Sequence, residues 1–317
     1  MVLTPERSEG SVPHSARRTR RLRRQGPWRL LALPGIAWLS IFFVIPLYLV
    51  LALVFGRPDP IFRTPLPVWN PLGWDFTQFS QIMRESLGPG GIFGAALIRT
   101  LVFVLIASLL CVLIAFPVAY YVARLAGRWR GLLLALLIAP LWISYMMRML
   151  AWVNLLREDG LVNHVLSLGG AFDIHPNWLT GNALVVVLGL VYGYVPYMIL
   201  PLFAGLDRLP QSVLEAARDL GAPRSSAFWR VTLPMCRPII VASVLLTCLP
   251  MLGDYFTNDL LSASPTTSMV GNLINNTVLV PGQAGAAGAY VMIVLVISLL
   301  PMLYYVRSVA RSDEPAT

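Results

Sequence analysis

The chain has 317 residues, of which 57% are hydrophobic and 12% are charged, and its formal net charge is +9. Soluble domains carry about 25% charged residues, so this composition excludes an ordinary soluble protein and favours an integral membrane protein. All 24 basic residues are arginines. Since a phosphate-binding loop uses a lysine, the chain is not expected to bind ATP itself.

The amino-terminal residues 1–29 form the first predicted region, a disordered arginine-rich tail. Its densest part is RRTRRLRRQ, Arg17 to Gln25. A basic patch can bind nucleic acid, but this one ends just before a long apolar run, which is typical of the cytoplasmic anchor of a membrane span. We therefore expect the tail to face the lipid bilayer and not nucleic acid.

Six apolar stretches follow, each long enough to cross a membrane, which takes about 20 residues. Together they predict an all-α integral membrane protein with six transmembrane helices. The membrane domain covers 30–306 and a short cytoplasmic tail covers 307–317. The predicted spans are Leu30–Phe55, Ile98–Ala123, Leu132–Leu155, Ala183–Ala204, Pro238–Phe256 and Ala289–Val306.

The arginines are unevenly distributed between the two sides of this membrane domain. With six spans, both termini share a side with the loops after the second and fourth spans, and this side carries most of the arginines. Because cytoplasmic segments carry the excess of positive charge, both termini are predicted to be cytoplasmic. On the other side, Phe76, Phe79 and Met83 recur at helical spacing and predict a short interfacial helix.

The loop after the fourth span contains a charged stretch, EAARDLGAPRSSAFWRVTLP, from Glu215 to Pro234. Pro210, just before it, suits the first turn of a helix. Ser212 and Glu215 have the spacing of a capping box. Gly221 stands at the natural end of this helix, where glycine is the preferred residue.

A second short helix is predicted after this glycine. Pro223 can open it and Pro234 can stop it. Each helix has one apolar stripe at helical spacing. The stripes consist of Val213, Leu214, Ala217 and Leu220 in the first helix, and of Ala227, Phe228 and Val231 in the second. The opposite, charged face carries Glu215, Arg218, Asp219 and Arg224.

This stretch resembles the EAA signature of permease subunits in binding-protein-dependent ABC importers. The signature is Glu-Ala-Ala, three residues, a glycine, nine residues, an aliphatic residue, one residue and then Leu-Pro. The matching residues are Glu215, Ala216, Ala217, Gly221, Val231, Leu233 and Pro234. Val231 replaces the more usual isoleucine.

The resemblance implies the fold of a type I ABC importer permease. It also implies that residues 206–237, called the coupling loop from here on, dock into a cleft on a separate nucleotide-binding subunit. The small side chains of Ala216 and Ala217 would allow close approach. Glu215 would offer a carboxylate to a cationic or amide partner.

The resemblance also implies the partners and the location. A complete importer has two ATP-binding subunits, a second permease subunit and an extracytoplasmic substrate-binding protein, in the bacterial cytoplasmic (inner) membrane. The second permease is expected to be a paralogue, with an identical copy as the alternative. The chain itself would be non-enzymatic and bind no cofactor, because ATP and Mg are used by the ATP-binding subunits.

Three further stretches resemble the spermidine/putrescine permeases. They are PLWISYMMRMLAWVNLL (Pro140–Leu156), REDGLVNHVLSLGG (Arg157–Gly170) and PMLGDYFTNDLLSASPTTSMVGNLINN (Pro250–Asn276). This resemblance implies import of a polyamine. Permeases for iron, thiamine, sulfate or sugar share the fold and the coupling loop, so another solute is the alternative.

A polyamine pathway needs carboxylates and aromatic faces, because the solute is cationic. The candidate residues are Trp142, Tyr145, Arg148, Asp254 and Tyr255. Charged residues within membrane spans are costly and commonly functional. Arg148 and Asp254 lie at similar depth along their helices, so two hypotheses stay open: Asp254 binds the solute, or it pairs with Arg148.

Two other classes of protein fit the sequence less well. A stand-alone secondary transporter or channel predicts inverted repeats, and an integral membrane enzyme predicts a cluster of catalytic residues. The sequence shows neither pattern. Its three cysteines and three histidines also lack the spacing of a metal site.

Overall fold

The computed structural model describes residues 28–59, 65–88, 90–168 and 177–312. Nearly all of them are helical, in agreement with the predicted all-α membrane fold. The arginine-rich stretch Arg17–Gln25 lies outside the described residues, as does the end of the carboxy-terminal tail from residue 313. The chain divides into an amino-terminal unit that ends at Tyr48 and a larger unit from Leu49 onward.

The amino-terminal unit is helical where it is described. Helix α1, Trp28–Leu39, continues through a π-helical turn at Ser40–Val44 into α2, Ile45–Val54. The segment Ala32–Val54 is apolar and, with 23 residues, long enough to cross a membrane. This agrees with the first span predicted at Leu30–Phe55.

The segment after α2 contains two short strands and one helix. Strands β1, Arg57–Pro58, and β2, Pro65–Leu66, pair antiparallel. Helix α3 covers Phe76–Leu87, and Asp75 caps its first turn by accepting the Thr77 N–H at 2.9 Å. Phe76 and Phe79 of α3 pack on the ring of Phe55, which directly follows α2. The helix predicted from the aromatic spacing is therefore confirmed.

The remaining helices form the rest of the membrane domain and its loops. They are α4 (Ile92–Arg124), α5 (Arg130–Ile138), α6 (Tyr145–Leu156), α7 (Leu161–Leu168), α8 (Ala183–Asp207), α9 (Gln211–Asp219), α10 (Arg224–Ala227), α11 (Leu233–Leu252), α12 (Phe256–Leu261), α13 (Val270–Leu279) and α14 (Ala284–Ser312). Within the described residues, four further continuous helices are long and apolar enough to cross a membrane. They are Ile92–Arg124, Ala183–Asp207, Ser225–Leu252 and Ala284–Arg307, and they overlap the predicted second, fourth, fifth and sixth spans.

The third span, predicted as one helix at Leu132–Leu155, is broken in the structure. Two helical segments, Gly127–Trp142 and Tyr145–Ser167, meet at an angle of 87°. Ile143 between them is extended, with φ −89° and ψ 133°. The Ser144 hydroxyl caps the second segment by accepting a backbone N–H of its first turn at 3.3 Å. The described part of the chain thus has six spans if this bent pair counts as one.

The core of the larger unit lies where α4, α8 and α11 pack against one another. Its fully buried side chains are small or flexible, and they include Ala107, Cys111, Ala115, Leu190, Met198, Leu202 and Met251. In a bilayer, lipid tails are as apolar as these side chains, so close packing and not the hydrophobic effect holds the helices together. The same small residues let three long backbones approach one another.

Two glycines of α8 allow the helices that carry the candidate pathway residues to pack closely against it. A Cβ at Gly189 would lie 2.8 Å from Cγ2 of Thr257, and a Cβ at Gly193 would lie 2.6 Å from Cε2 of Tyr145. Any larger residue at these positions would push α12 and α6 away from α8. The two glycines therefore set how closely the third span and the end of the fifth approach the fourth.

The second helix of the coupling loop does not stop at Pro234, so that prediction is wrong. Helix α10 passes through a π-helical turn at Phe228–Thr232 into α11, and Ser225–Leu252 forms one continuous helix. In the π-helical turn the Leu233 N–H donates to the Phe228 carbonyl, five residues back. This wider turn makes room for the proline ring, which in a regular helix collides with the carbonyl four residues earlier.

Candidate functional sites: the coupling loop and an aromatic cavity

The first helix of the coupling loop, α9, ends in a Schellman turn. Gly221 has φ +83°, and its N–H donates to the Arg218 carbonyl at 2.9 Å. The Ala222 N–H donates to the Ala217 carbonyl at 3.1 Å. These are the two hydrogen bonds of this motif, which needs a left-handed residue and therefore favours glycine. The glycine predicted at the end of this helix is confirmed.

The start of α9 differs from the predicted capping box. The helix begins at Gln211, so Pro210 is its N-cap residue and no side chain caps it there. Ser212 thus lies inside the first turn, where its hydroxyl is past the capping position. The prediction that Ser212 and Glu215 form a capping box is wrong.

The face of α9 that carries the signature is open. Glu215, Ala216 and Arg218 are exposed, and Ala217 is half-buried. Leu220, which belongs to the predicted apolar stripe, is 89% exposed. Two of the four stripe residues, Val213 and Leu220, are therefore left exposed by the described part of this chain, and the other two are half-buried. The side chain of Arg224, predicted on the charged face, lies outside the described side chains.

The second half of the coupling loop is anchored in the bundle. The Phe228 ring packs edge-on against two aromatic rings of α4, with centroids 6.1 Å from Phe116 and 5.5 Å from Tyr120. Ala227 beside it is 3% exposed. This confirms the apolar face predicted for the second helix. The later signature residues are half-buried or exposed: Val231, Leu233 and Pro234.

A cavity of about 370 Å³ lies where α6, α8 and the end of α11 meet. Its wall consists mainly of aromatic side chains with one carboxylate. The lining residues are Tyr145, Tyr194, Tyr197, Pro250, Gly253, Asp254, Tyr255 and Phe256. The structure therefore brings together three of the five predicted pathway residues, Tyr145, Asp254 and Tyr255, although they come from distant parts of the sequence.

Asp254 supplies the carboxylate of this cavity and is only 6% exposed. Its Oδ2 accepts hydrogen bonds from the Tyr145 hydroxyl at 2.5 Å and from the Thr257 hydroxyl at 2.7 Å. Its Oδ1 accepts the Thr257 N–H at 3.0 Å. Hydrogen bonds to a charged acceptor are about twice as strong as neutral ones, so these three donors fix the orientation of the carboxylate.

Arg148 is buried near this cavity but does not pair with Asp254 directly. Among the described residues, the ion pair found is a different one, on the cytoplasmic side. The Arg148 Nη1 donates to the Gly193 carbonyl at 3.3 Å, and the guanidinium lies 5.3 Å from the centroid of the Tyr145 ring. Its Nε has no hydrogen-bond partner in the described part of the chain. A direct ion pair between Arg148 and Asp254 is therefore not supported.

Sequence reasoning missed Tyr194 and Tyr197, which line the cavity from α8. They fall within the predicted fourth span, where only apolar packing is expected. The pattern YGYVPY, Tyr192–Tyr197, places three hydroxyls within a membrane span, where each needs a partner, and this is the signal from which polar contacts of α8 could have been expected. Trp142 differs: it is 82% exposed beside the break in the third span and does not line this cavity.

A bundle of membrane spans with an exposed cytoplasmic helix and an aromatic cavity that contains a carboxylate is typical of solute permeases. Comparison with known sequences then identifies the family. The chain belongs to the binding-protein-dependent transport system inner membrane components, whose family model matches residues 112–313. It is accordingly a multi-pass protein of the bacterial inner membrane and a permease subunit of an ABC importer.

Curated relatives include spermidine/putrescine permeases. The spermidine/putrescine transport system permease protein PotB of Haemophilus influenzae is 32% identical over 268 residues, which are 82% of this chain and 88% of that protein. PotB of Escherichia coli K12 is 32% identical over 174 residues, or 55% of this chain and 62% of that protein. The inner membrane ABC transporter permease protein YdcU of Escherichia coli K12 is 32% identical over 178 residues, 53% and 56% respectively.

Solved structures show the same fold. A crystal structure of a bacterial alginate ABC transporter, in complex with an alginate pentasaccharide-bound periplasmic protein, matches with a TM-score of 0.67 at 20% identity. The match covers 92% of this chain and 97% of that chain. The chain therefore has the type I ABC importer permease fold.

Proposed function

We propose that this chain forms half of the translocation pathway of an ATP-driven importer for polyamines. Two ATP-binding subunits supply the energy through the coupling loop, and ATP and Mg are used there and not by this chain. A second permease, a paralogue, completes the pathway. An extracytoplasmic binding protein delivers the solute to it.

The exposed face of α9 supports the role of the coupling loop. An amphipathic helix that leaves Leu220 89% exposed has an apolar surface suited to a groove on another subunit. Exposed Glu215 and Ala216 lie on the same helix, one offering a carboxylate and the other permitting close approach. The Schellman turn at Gly221 then returns the chain to the bundle.

The observation that carries the choice of solute is the Asp254 carboxylate in a wall of tyrosines. An alkylammonium group is attracted by a carboxylate and by the faces of aromatic rings. Tyr145, Tyr194, Tyr197 and Tyr255 supply such rings around Asp254, and their hydroxyls can accept hydrogen bonds from an ammonium group. The cavity thus offers a cationic solute a negative charge that compensates its own, and oxygen atoms that replace part of its hydration shell.

The size of the cavity and the named relatives support the same solute class. Pockets for small molecules measure about 300–1,000 Å³, so a cavity of about 370 Å³ suits a narrow chain of few heavy atoms. The PotB relatives are named as spermidine/putrescine permeases, and one of them matches 82% of this chain. A linear polyamine satisfies both conditions.

The test is uptake of radiolabelled spermidine by the complete importer in proteoliposomes. Asp254→Asn keeps the size of the side chain and removes its charge, and we expect the uptake rate to fall about tenfold or more, since a buried bond to a charged group is worth about 1.5–3 kcal/mol. The matched control is Tyr192→Phe, because Tyr192 lies on α8 but does not line the cavity. It should transport like the wild type.

Two results would contradict this proposal. If Asp254→Asn takes up spermidine at the wild-type rate and with the wild-type half-saturation concentration, the cavity is not the solute site. A wild-type importer that transports sulfate or thiamine, but neither spermidine nor putrescine, would reject polyamines while leaving the permease assignment intact.

A further inference from the structure

The junction between α8 and α9 is where the coupling loop leaves the membrane domain. Two arginines at the helix ends that flank the loop between α4 and α5 bind this junction. They are Arg124, the last residue of α4, and Arg130, the first residue of α5. We call these two residues the arginine clamp.

Arg124 bridges the end of α8 and the start of the coupling loop. Its Nη2 donates to the Leu206 carbonyl at 2.8 Å and to the Leu209 carbonyl at 2.8 Å. The Leu206 carbonyl lies in the last turn of α8, where the helix end carries partial negative charge, so a guanidinium there gains a favourable dipole interaction in addition to its hydrogen bonds. The two carbonyls lie on either side of Asp207 and Arg208, where α8 gives way to the loop.

Arg130 binds the same junction from α5. Its Nη2 forms an ion pair with Oδ2 of Asp207 at 2.6 Å, and its guanidinium lies 4.8 Å from the centroid of the Phe203 ring. Both charged side chains are about two-fifths exposed, so this contact is weaker than that of Arg124. It ties α5 to α8 at the residue where α8 ends.

The other end of the coupling loop is held by the same helix that carries Arg124. Phe228 packs on Phe116 and Tyr120 of α4. At the base of the loop, α8 and α11 are also in tight contact, since a Cβ at Gly205 would lie 2.9 Å from Cγ1 of Ile239. Helix α4 therefore contacts the coupling loop on both sides of α9.

We propose that the arginine clamp consists of positioning residues that transmit movement of α9 to α4 and α5, in addition to the spans that the chain connects directly. Without the clamp, the end of α8 and the start of the coupling loop can shift relative to α4 and α5, so force on α9 does not reach these two helices. With it, the cytoplasmic ends of α4, α5, α8 and α11 move as one body. This inference rests on the proposed function, because it presupposes that an ATP-binding subunit pulls on α9.

The first measurement is the number of solute molecules imported per ATP hydrolysed by the complete importer in proteoliposomes. Arg124→Met removes the donors but keeps a long unbranched side chain, and Arg124→Lys keeps the charge. The matched control is Arg128→Met, since Arg128 is exposed in the same loop and lies 5.5 Å from the centroid of the adjacent Trp129 ring. The Met variant at position 124 should lose about tenfold in this ratio while ATP hydrolysis continues, because two charge-assisted hydrogen bonds are lost. Arg124→Lys should recover part of the ratio, and Arg128→Met should match the wild type.

The second measurement separates transmission from simple support of the fold. Spin labels are placed at exposed Leu125 and Gln211 in an assembled importer in which the three native cysteines of this chain are replaced by serine. The distance between the labels should stay constant between the ATP-free and ATP-bound states in the wild-type background. In Arg124→Met it should change between the two states, and if this variant does not assemble, Arg130→Met, which removes the other contact of the clamp, takes its place in the comparison.

An unchanged import ratio in Arg124→Met, or a label distance that varies equally with and without the guanidinium, would overturn the clamp alone. A wild-type complex that neither hydrolyses ATP nor imports solute would overturn the proposed function, and the clamp with it.

Discussion

The contact between Gly193 and Tyr145 gives the sharpest test of the cavity. In Gly193→Ala the new Cβ would lie 2.6 Å from Cε2 and 2.9 Å from the hydroxyl oxygen of Tyr145. The ring has to move, and the hydrogen bond from its hydroxyl to Asp254, 2.5 Å long, is lost or lengthened. Overpacking of this kind costs about 1–3 kcal/mol, and a hydrogen bond to a charged acceptor contributes about 1.5–3 kcal/mol.

The assay is thermal unfolding of the purified chain in lipid nanodiscs. Even at the lower end of the sum of these two costs, about 2.5 kcal/mol, the apparent Tm of Gly193→Ala should fall by roughly 5–10 °C. The control is Gly131→Ala, because a Cβ at Gly131 meets nothing within 4 Å and alanine favours a helix. Its Tm should be unchanged or slightly higher.

A double-mutant cycle shows whether the loss acts through Tyr145. In a Tyr145→Leu background the ring that collides with the new methyl group is absent, so Gly193→Ala should cost less than about 0.5 kcal/mol there. The coupling between the two sites should then be about 1–3 kcal/mol. A Tm within 1 °C of the wild type, on the order of the measurement error, or an equal loss in both backgrounds, would refute the packing argument.

Two further predictions concern the ends of α9 and α3. At Gly221, φ is +83° and a Cβ has open space, so Gly221→Val should strain the backbone by about 1–2 kcal/mol and lower the number of solute molecules imported per ATP. Asparagine tolerates this conformation, so Gly221→Asn should keep most of the wild-type import ratio. Equal ratios in the two variants would contradict the role of the turn. At Asp75, hydrogen bonds from the hydroxyl and the N–H of Thr77 hold the pKa below the usual aspartate value of about 3.9. The stabilisation of the helix by this cap is complete above the usual aspartate pKa and is lost as the pH falls through the lowered pKa of Asp75. The hydrogen-exchange protection of the first turn of α3, corrected for intrinsic exchange rates, should therefore fall between roughly pH 5 and pH 3. Asp75→Asn caps without titrating and should show no such fall; a fall of the same size in both would assign the effect to another group.

The membrane architecture was largely predictable because its signals are local. Each continuous span is a run of apolar residues whose length is set by the bilayer, and the sequence displays that length directly. The turn at Gly221 was predictable for a similar reason, since a positive φ at a helix end selects glycine. The spans themselves, such as Ala183–Asp207, are therefore found without knowledge of their neighbours.

The predictions of an unbroken third span and of a helix end at Pro234 were wrong because both depend on backbone direction, which hydrophobicity does not reveal. The apolar run of the third span continues through Ile143, yet this residue is extended and the chain turns by 87°. The Ser144 cap marks the break, but a serine within an apolar run is also common in uninterrupted membrane helices. The prediction at Pro234 was wrong in the opposite sense, because a proline normally ends a helix but here a π-helical turn accommodates it.

The cavity was only partly predictable because it depends on contacts between distant segments. Tyr145 and Asp254 are 109 residues apart, and their hydrogen bond depends on how α6 and the end of α11 pack against α8. Arg148 and Asp254 were expected at similar depth, but equal depth does not fix the direction in which each helix presents its side chain. For this reason Arg148 meets Gly193 on α8 while Asp254 meets Tyr145.

The break in the third span bears on how the chain enters the bilayer during synthesis. The part before the break, Arg130–Trp142, rises only about 20 Å at 1.5 Å per residue, which is less than the hydrocarbon thickness of about 30 Å. Lipid also cannot satisfy the open backbone groups at the break. Since α5 contacts α4 and α6 contacts α8, the third span is held in place by its neighbours. We therefore expect the third span to insert stably only together with α4 and α8, and a chain truncated before α8 to lack the contacts that hold α6 in place.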